Sequence, residues 1–152
     1  MPTHFTGTAT AVRALNTFIK LMRATDAVNA HLAPPLALAG LTTGQLGILE
    51  ALLFLGPMRQ CALAAKLLRS TSNVTTILDN LEKRGLVARQ RRQDDRRVID
   101  VSLTGAGRQL IQRTFPAHAA RIAEALAVLS PAEQQQLGAL CKKLGTSFAP
   151  SH

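Results

Sequence analysis

LAAKLLRSTSNVTTILDNLEKRGLVARQRRQDDRRVIDVSL, residues 63–103, is the stretch on which the fold turns. Within it Val74, Ile77, Leu78 and Leu81 recur at i, i+3, i+4 and i+7, one apolar stripe of an α-helix over residues 70–81. Thr71, Ser72, Thr75, Thr76 and Asp79 fall off that stripe and face outward. Such short polar side chains reach phosphates and base edges without filling a groove. After Gly85 the pattern changes to two strands, residues 86–91 and 97–103, joined by a polar turn through Gln93, Asp94 and Asp95. Ahead of the stripe, Leu63, Ala64 and Leu67 form the inward face of a short helix over residues 61–68. Helix, helix and basic hairpin is the layout of a winged helix-turn-helix, a DNA-reading head.

Charge follows the same layout. Lys83, Arg84, Arg89, Arg91, Arg92, Arg96 and Arg97 are seven of the 18 Lys and Arg, and only Asp94 and Asp95 oppose them between residues 83 and 97. That segment therefore carries five of the nine net positive charges. A charge run alone is as readily a solvated hairpin; beside a helix-turn-helix pattern it is the electrostatic footprint of a nucleic-acid binder.

The rest of the composition narrows the partner. At 152 residues, 47% hydrophobic and 18% charged, the chain is long enough for one well-buried domain or a small module with helical extensions. With no Trp or Tyr and five Phe there is no stacking platform for single strands, which leaves duplex DNA. Apolar runs such as residues 51–55 and 125–129 are too short to span a bilayer, and MPTHFTGTATAVR lacks a signal layout, so no membrane association and a cytoplasmic location are expected. Two cysteines are too few for a disulfide framework.

In chain order, residues 1–11 read as a polar arm. Val12, Leu15, Ile19 and Met22 then begin an apolar helix to about His31, stopped by Pro34 and Pro35, with residues 37–40 as connector. Thr42 and Gln45 form a capping box for the next helix, which Gly56-Pro57 ends. Met58-Arg59-Gln60 is a short extended piece suited to a third strand beside the hairpin. Ser70 or Thr71 caps the groove-facing helix, where its first N–H groups can also hold a phosphate. Thr104 caps a helix over residues 105–129 that Pro116 bends or interrupts. The last helix opens on Ser130, Pro131 and Glu133, carries Leu137, Leu140, Cys141 and Leu144 as its stripe, and ends at Gly145.

The expected fold is therefore mainly α (α+β), a winged helix-turn-helix with N- and C-terminal dimerisation helices. Residues 1–40 form an arm and dimerisation helix, 41–103 the DNA-binding domain and 104–152 the C-terminal dimerisation helices. Apolar helices at both ends, outside a head with its own interior, pack on each other and on a second copy. A two-fold dimer presents two recognition helices to successive major grooves roughly 34–36 Å apart, on a pseudo-palindromic site.

LTTGQ at 41–45, LDNLEKRGLV at 78–87, DDRRV at 94–98 and LTGAG at 103–107, in this order and spacing, resemble the MarR family, the multiple-antibiotic-resistance type of transcriptional regulator. The resemblance covers about residues 12–145. It implies an obligate homodimer whose first and last two helices interlock, with the wing in the minor groove. It also implies that Arg96 is the wing-tip arginine, that Asp94 holds the wing arginines in place, and that residues 70–76 start the groove-facing helix. Members usually repress their own operon and neighbours, and release DNA when a small, often phenolic or anionic, ligand or an oxidant arrives. Members that sense peroxide carry a reactive Cys in the first helix, whereas no Cys precedes Cys61 here. Residues 73–87 and the Phe115-Pro-Ala-His118 run are similar to a branch responsive to quinones and catechols.

The expected DNA contacts are Ser70, Thr71, Ser72, Asn73, Thr75 and Thr76 on the helix and Arg92, Arg96 and Arg97 on the wing, with Asp94 orienting the wing. Cys141 on the last stripe and Cys61 at a helix start read as quiet, packed thiols; the alternative is a thiol sensor at either. His4, His31, His118 and His152 make no ligand pair, so no metal site is expected. His31 and His118 read as solvent-exposed, or else as contributors to a ligand pocket. Gly105-Ala-Gly107 imitates a dinucleotide fingerprint, but Leu110 stands where a third small residue is needed and no βαβ unit surrounds it. No cofactor and no catalytic constellation is indicated among the nine scattered acids, so an enzyme is not expected. Two other functions fit a winged helix: a protein-interaction module and a sequence-indifferent architectural DNA binder.

Overall fold

The computed structural model describes residues 1–67 and 71–148, with the backbone alone at Thr71 and Ser72. Ser70, one of the expected groove residues, lies outside the described residues. Contacts divide the chain into two units, Met1–His118 and Ala119–His152.

The first unit opens with α1 (Ala9–Leu38), followed by α2 (Thr43–Leu55), strand β1 (Met58–Arg59), α3 (Gln60–Lys66), α4 (Thr71–Lys83), β2 (Val87–Arg91), β3 (Ile99–Leu103) and the start of α5 (Gly105–Leu126). The strands form an antiparallel sheet in the order β1-β3-β2, with Met58 opposite Val101 and Val87 opposite Leu103. The expected third strand is present. Leu36, Ile48, Leu49, Leu63, Leu78, Val101 and Ile111 meet in one core, so every element of the unit except the arm contributes to it. Burial of such side chains supplies roughly 1.5–3 kcal/mol each.

The helix boundaries have local causes. The Thr42 hydroxyl accepts from the Gln45 N–H at 3.2 Å, and Gln45 Oε1 accepts from the Thr42 N–H at 3.0 Å, the reciprocal cap expected of this pair. The start of α1 lies earlier than expected, because Thr8 accepts from the Ala11 N–H at 3.2 Å and caps Ala9. The arm is tied back by the Thr3 N–H to Asn16 Oδ1, 2.7 Å.

Pro34 and Pro35 do not stop α1. They remove the donors that would serve the Ala30 and His31 carbonyls, yet Leu32 and Leu36, 5% and 1% exposed, hold that turn in the core. The true stop is Gly40, φ +76°. Its N–H donates to the Ala37 carbonyl, and the Leu41 N–H reaches back to Leu36. Helix α4 ends the same way: Gly85, φ +70°, donates to Glu82 and Leu86 donates to Leu81. In both, a left-handed glycine closes the helix and a following leucine folds back into the core.

The LTGAG motif is a docking device. The Thr104 hydroxyl donates to the Gly85 carbonyl at 2.6 Å and accepts from the Gly107 N–H at 3.0 Å, while the Thr104 N–H donates to the Leu86 carbonyl at 3.1 Å. A Cβ on Gly107 would overlap the Leu86 carbonyl oxygen. The motif thus joins the start of α5 to the turn that ends α4.

Helix α5 runs through Pro116 without interruption, since one proline deletes one donor, at the Gln112 carbonyl, and not the helix. His118 is 5% exposed, correcting the expectation of a solvent-facing imidazole, whereas His31 is exposed. In the second unit α6 (Pro131–Thr146) begins at the expected Ser130–Glu133 box, with bonds of 3.2 and 2.8 Å. Gln134 Nε2 donates to the Leu126 and Leu129 carbonyls and fixes the turn before it. No residue of α6 is buried: Leu137, Leu140 and Leu144 are 43%, 59% and 49% exposed. Cys141 and Cys61 are both exposed, so neither is the packed thiol expected. A stripe in the sequence states which face is apolar, and among the described residues of its own unit nothing buries the α6 face.

Candidate nucleic-acid interface

The site is assembled from α3, α4 and the hairpin. Val74, Leu78 and Leu81 are fully buried, which turns the opposite side of α4 outward. Asn73 and Thr76 lie exposed near its start. Thr75 is half-buried, and its hydroxyl oxygen lies 2.9 Å from Gln60 Nε2, which donates to it. Gln60 was missed in the sequence, although it precedes Leu63 and Ala64 at helical spacing and so shares their inward face. It holds α4 to α3.

The wing is a hairpin whose loop is internally braced. The Arg92 N–H donates to the Val98 carbonyl and the Val98 N–H to Asp95, each at 3.0 Å. Arg91 Nη1 donates to the Arg96 carbonyl at 2.9 Å, and Asp95 Oδ1 accepts from the Arg97 N–H at 3.0 Å. These bonds curl the loop and direct the Arg96 and Arg97 side chains outward; Arg97 is 93% exposed. Asp95 also pairs with Arg97 Nε at 3.3 Å, and Asp100 with Arg92 Nε at 2.8 Å. Asp94 instead accepts from the Asp95 N–H at 3.0 Å. The acids bonded directly to the wing arginines are thus Asp95 and Asp100, while Asp94 acts on Arg92 only through its charge. Arg92 is correspondingly committed to β3, with its pKa raised by the Asp100 hydrogen bond. Arg96 is exposed and its side chain makes no internal hydrogen bond or ion pair among the described residues.

One cation of the basic run belongs to the fold. Arg89 Nη2 lies 2.6 Å from Asp79 and 3.0 Å from Glu82, and the Arg89 N–H donates to Glu82 at 3.2 Å. The side-chain hydrogen bond from Arg89 chiefly holds the Glu82 carboxyl below the usual carboxylate range, and the same bond to Glu82 raises the Arg89 pKa. Asp79, an outward residue of α4, is therefore a tether for β2. The lock sets the wing's position relative to the helix and neutralises one of the seven cations of the basic run.

Behind the head, the Phe54 ring of α2 meets Phe115 of α5 edge-on at 5.2 Å, and Phe115 lies 6.5 Å from the buried His118 ring. Among the described residues no single helix is long and apolar enough to cross a membrane.

A capped helix lying beside a braced basic hairpin on a three-stranded sheet is a winged helix-turn-helix. The MarR family model matches residues 41–99. The HTH-type regulator YkoM of Bacillus subtilis is 35% identical over 88% of this chain and 86% of its own. Among solved structures, Sco3205 of Streptomyces coelicolor, a MarR family transcriptional regulator in complex with DNA, superposes with a TM-score of 0.83 at 26% identity, over 89% of this chain and 90% of that one. BpsR of Bordetella bronchiseptica, whose DNA binding is regulated by 6-hydroxynicotinic acid, gives 0.77 at 25% identity, over 84% and 97%. The chain belongs to the MarR family.

Proposed function

We propose that the protein is a homodimeric, non-enzymatic transcriptional repressor that reads a pseudo-palindromic duplex operator and leaves it when a small ligand binds. The observation that carries this reading is the pairing of a polar, outward start of α4 with a wing whose tip cation, Arg96, is uncommitted. In the groove assignment Thr71, Ser72, Asn73 and Thr76 lead, and Thr75 serves more as a brace against Gln60. Arg96 and Arg97 take the minor groove or its phosphates, and Arg92 and Asp100 stiffen the wing behind them. The DNA-bound relative Sco3205 supports the partner.

Dimerisation is supported by what α1 and α6 leave uncovered: Phe18 and Met22 on the one, Leu137, Leu140 and Leu144 on the other. Residues 1–40 and 104–152 are on this reading the dimerisation segments around the 41–103 head. Ligand release is supported by the regulation of BpsR by 6-hydroxynicotinic acid, an anionic hydroxylated aromatic acid, and by the Phe54–Phe115–His118 group where α2 meets α5. An aromatic wall with an imidazole suits a phenolic or quinone-like ring.

The test is a gel-shift titration of the protein's own upstream DNA against a random duplex at two salt concentrations. A regulator discriminates by roughly three or more orders of magnitude and weakens steeply with salt. Equal binding to both duplexes identifies an architectural binder, and binding to neither by a folded dimer overturns the DNA reading.

A further inference from the structure

We propose that Arg84 is a positioning residue for operator reading: it latches the last turn of α4 to the corner between α1 and α2, and it contacts no phosphate. The proposal rests on the DNA reading above and assigns a basic residue of that run to a different task. Arg84 stands directly before Gly85, where α4 has ended. Its Nη1 donates to the Gly40 carbonyl at 2.8 Å and lies 3.5 Å from Gln45 Oε1. Its Nη2 is 3.3 Å from where a Cβ of Gly40 would stand, so the left-handed glycine also leaves room for the guanidinium. A cation here meets the negative end of the α1 dipole as well as a carbonyl.

A second bond makes the contact a latch and not a lone surface pair. One turn back on α4, Asn80 Oδ1 accepts from Gln45 Nε2 at 2.7 Å. Gln45 is the same residue that caps α2 through Thr42. Residues 80 and 84 are four apart, and the Arg84 N–H still donates to the Asn80 carbonyl at 3.0 Å, so both arms pull on one side of the helix end. The end of α1, the start of α2 and the end of α4 are thereby joined through one glutamine and one arginine. At its other end α4 carries Asn73 and Thr76, so a tilt of α1 at Gly40 is passed along a rigid helix to the groove-facing residues.

The measurement is a salt series of anisotropy titrations on the full-length protein, with its own upstream duplex and a random duplex, for wild type, Arg84→Gln, Asn80→Ala and the double variant. Arg84→Gln is expected to weaken specific binding about three- to tenfold while the slope of log K against log salt stays at the wild-type value. Hydrogen exchange at the Gly40 and Leu41 amides and over the last turn of α4 should quicken together. Asn80→Ala loses no charge, so it remains a test if Arg84→Gln fails to fold; it should weaken specific binding at constant slope, less than additively with Arg84→Gln. A slope reduced by about one for Arg84→Gln reveals a phosphate contact and overturns the proposal. So does specific affinity within about twofold of wild type in both variants. Wild-type protein that does not discriminate between the duplexes instead overturns the DNA reading itself.

Discussion

Helices α4 and α6 carry the same kind of apolar stripe and meet opposite fates. Val74, Leu78 and Leu81 of α4 are fully buried, whereas Leu137, Leu140 and Leu144 of α6 stay between 43% and 59% exposed. Periodicity identifies the face that must leave water; it does not say what covers it. The α4 stripe is covered by its own unit, and its outward side, with Asn73 and Thr76, is polar and exposed. Among the described residues of its own unit nothing buries the α6 stripe, and the proposed function gives it a second copy.

The largest expected effect separates the two directly. Leu78→Ala opens a cavity in the core of the first unit and should cost about 2–5 kcal/mol in urea unfolding, at any protein concentration. Leu140→Ala should change stability only in a concentration-dependent way, read by repeating the unfolding over a wide dilution range and by sedimentation. A loss at Leu140 equal to that at Leu78 and independent of concentration would erase the distinction. Next comes Gly107→Ala, whose added methyl must displace the Leu86 carbonyl. About 1–3 kcal/mol is expected, in the same unfolding assay. A neutral result would mean that the start of α5 can shift without disturbing the turn after α4.

Much of this was legible from residues alone because its causes are local. The Thr42–Gln45 and Ser130–Glu133 boxes, the α4 stripe and the hairpin all depend on neighbours a few positions away. Where packing or register decides, sequence reading erred. Pro34 and Pro35 looked like a stop, but burial of Leu32 and Leu36 on either side outweighs two missing donors. Asp94 looked like the wing's acid because it leads the turn, whereas the bend of the loop hands Arg97 to Asp95 and the strand pairing hands Arg92 to Asp100. The Arg89 lock was foreseeable in part: Asp79 and Glu82 are three apart on one helix face, and β2 returns along that helix.

On the outward side, the uncommitted cation and the committed one should behave differently. Arg96→Ala is expected to weaken operator binding at least about tenfold, near 1.4 kcal/mol, with the dimer intact by sedimentation. Unchanged affinity would remove Arg96 from the interface.

The smallest effect concerns the Arg89–Glu82 pair. The Glu82 carboxyl is held below its ordinary value chiefly by the hydrogen bond from Arg89. Its stabilisation is therefore complete above the unfolded-state value, declines as pH falls through the carboxylate range, and is gone below the lowered folded value. Both partners reach solvent, Glu82 at 42% of its side chain, so the contribution belongs with exposed pairs, about 0.2–1 kcal/mol. Unfolding followed from neutral to acid pH should show Glu82→Gln losing less stability than wild type over that window, whereas Glu133→Gln in α6, which removes a cap carboxylate and leaves the Arg89–Glu82 pair in place, keeps the Arg89-dependent loss. Identical acid profiles for wild type and Glu82→Gln would mean that Asp79 alone holds Arg89, and that the wing is fixed to α4 by one tether.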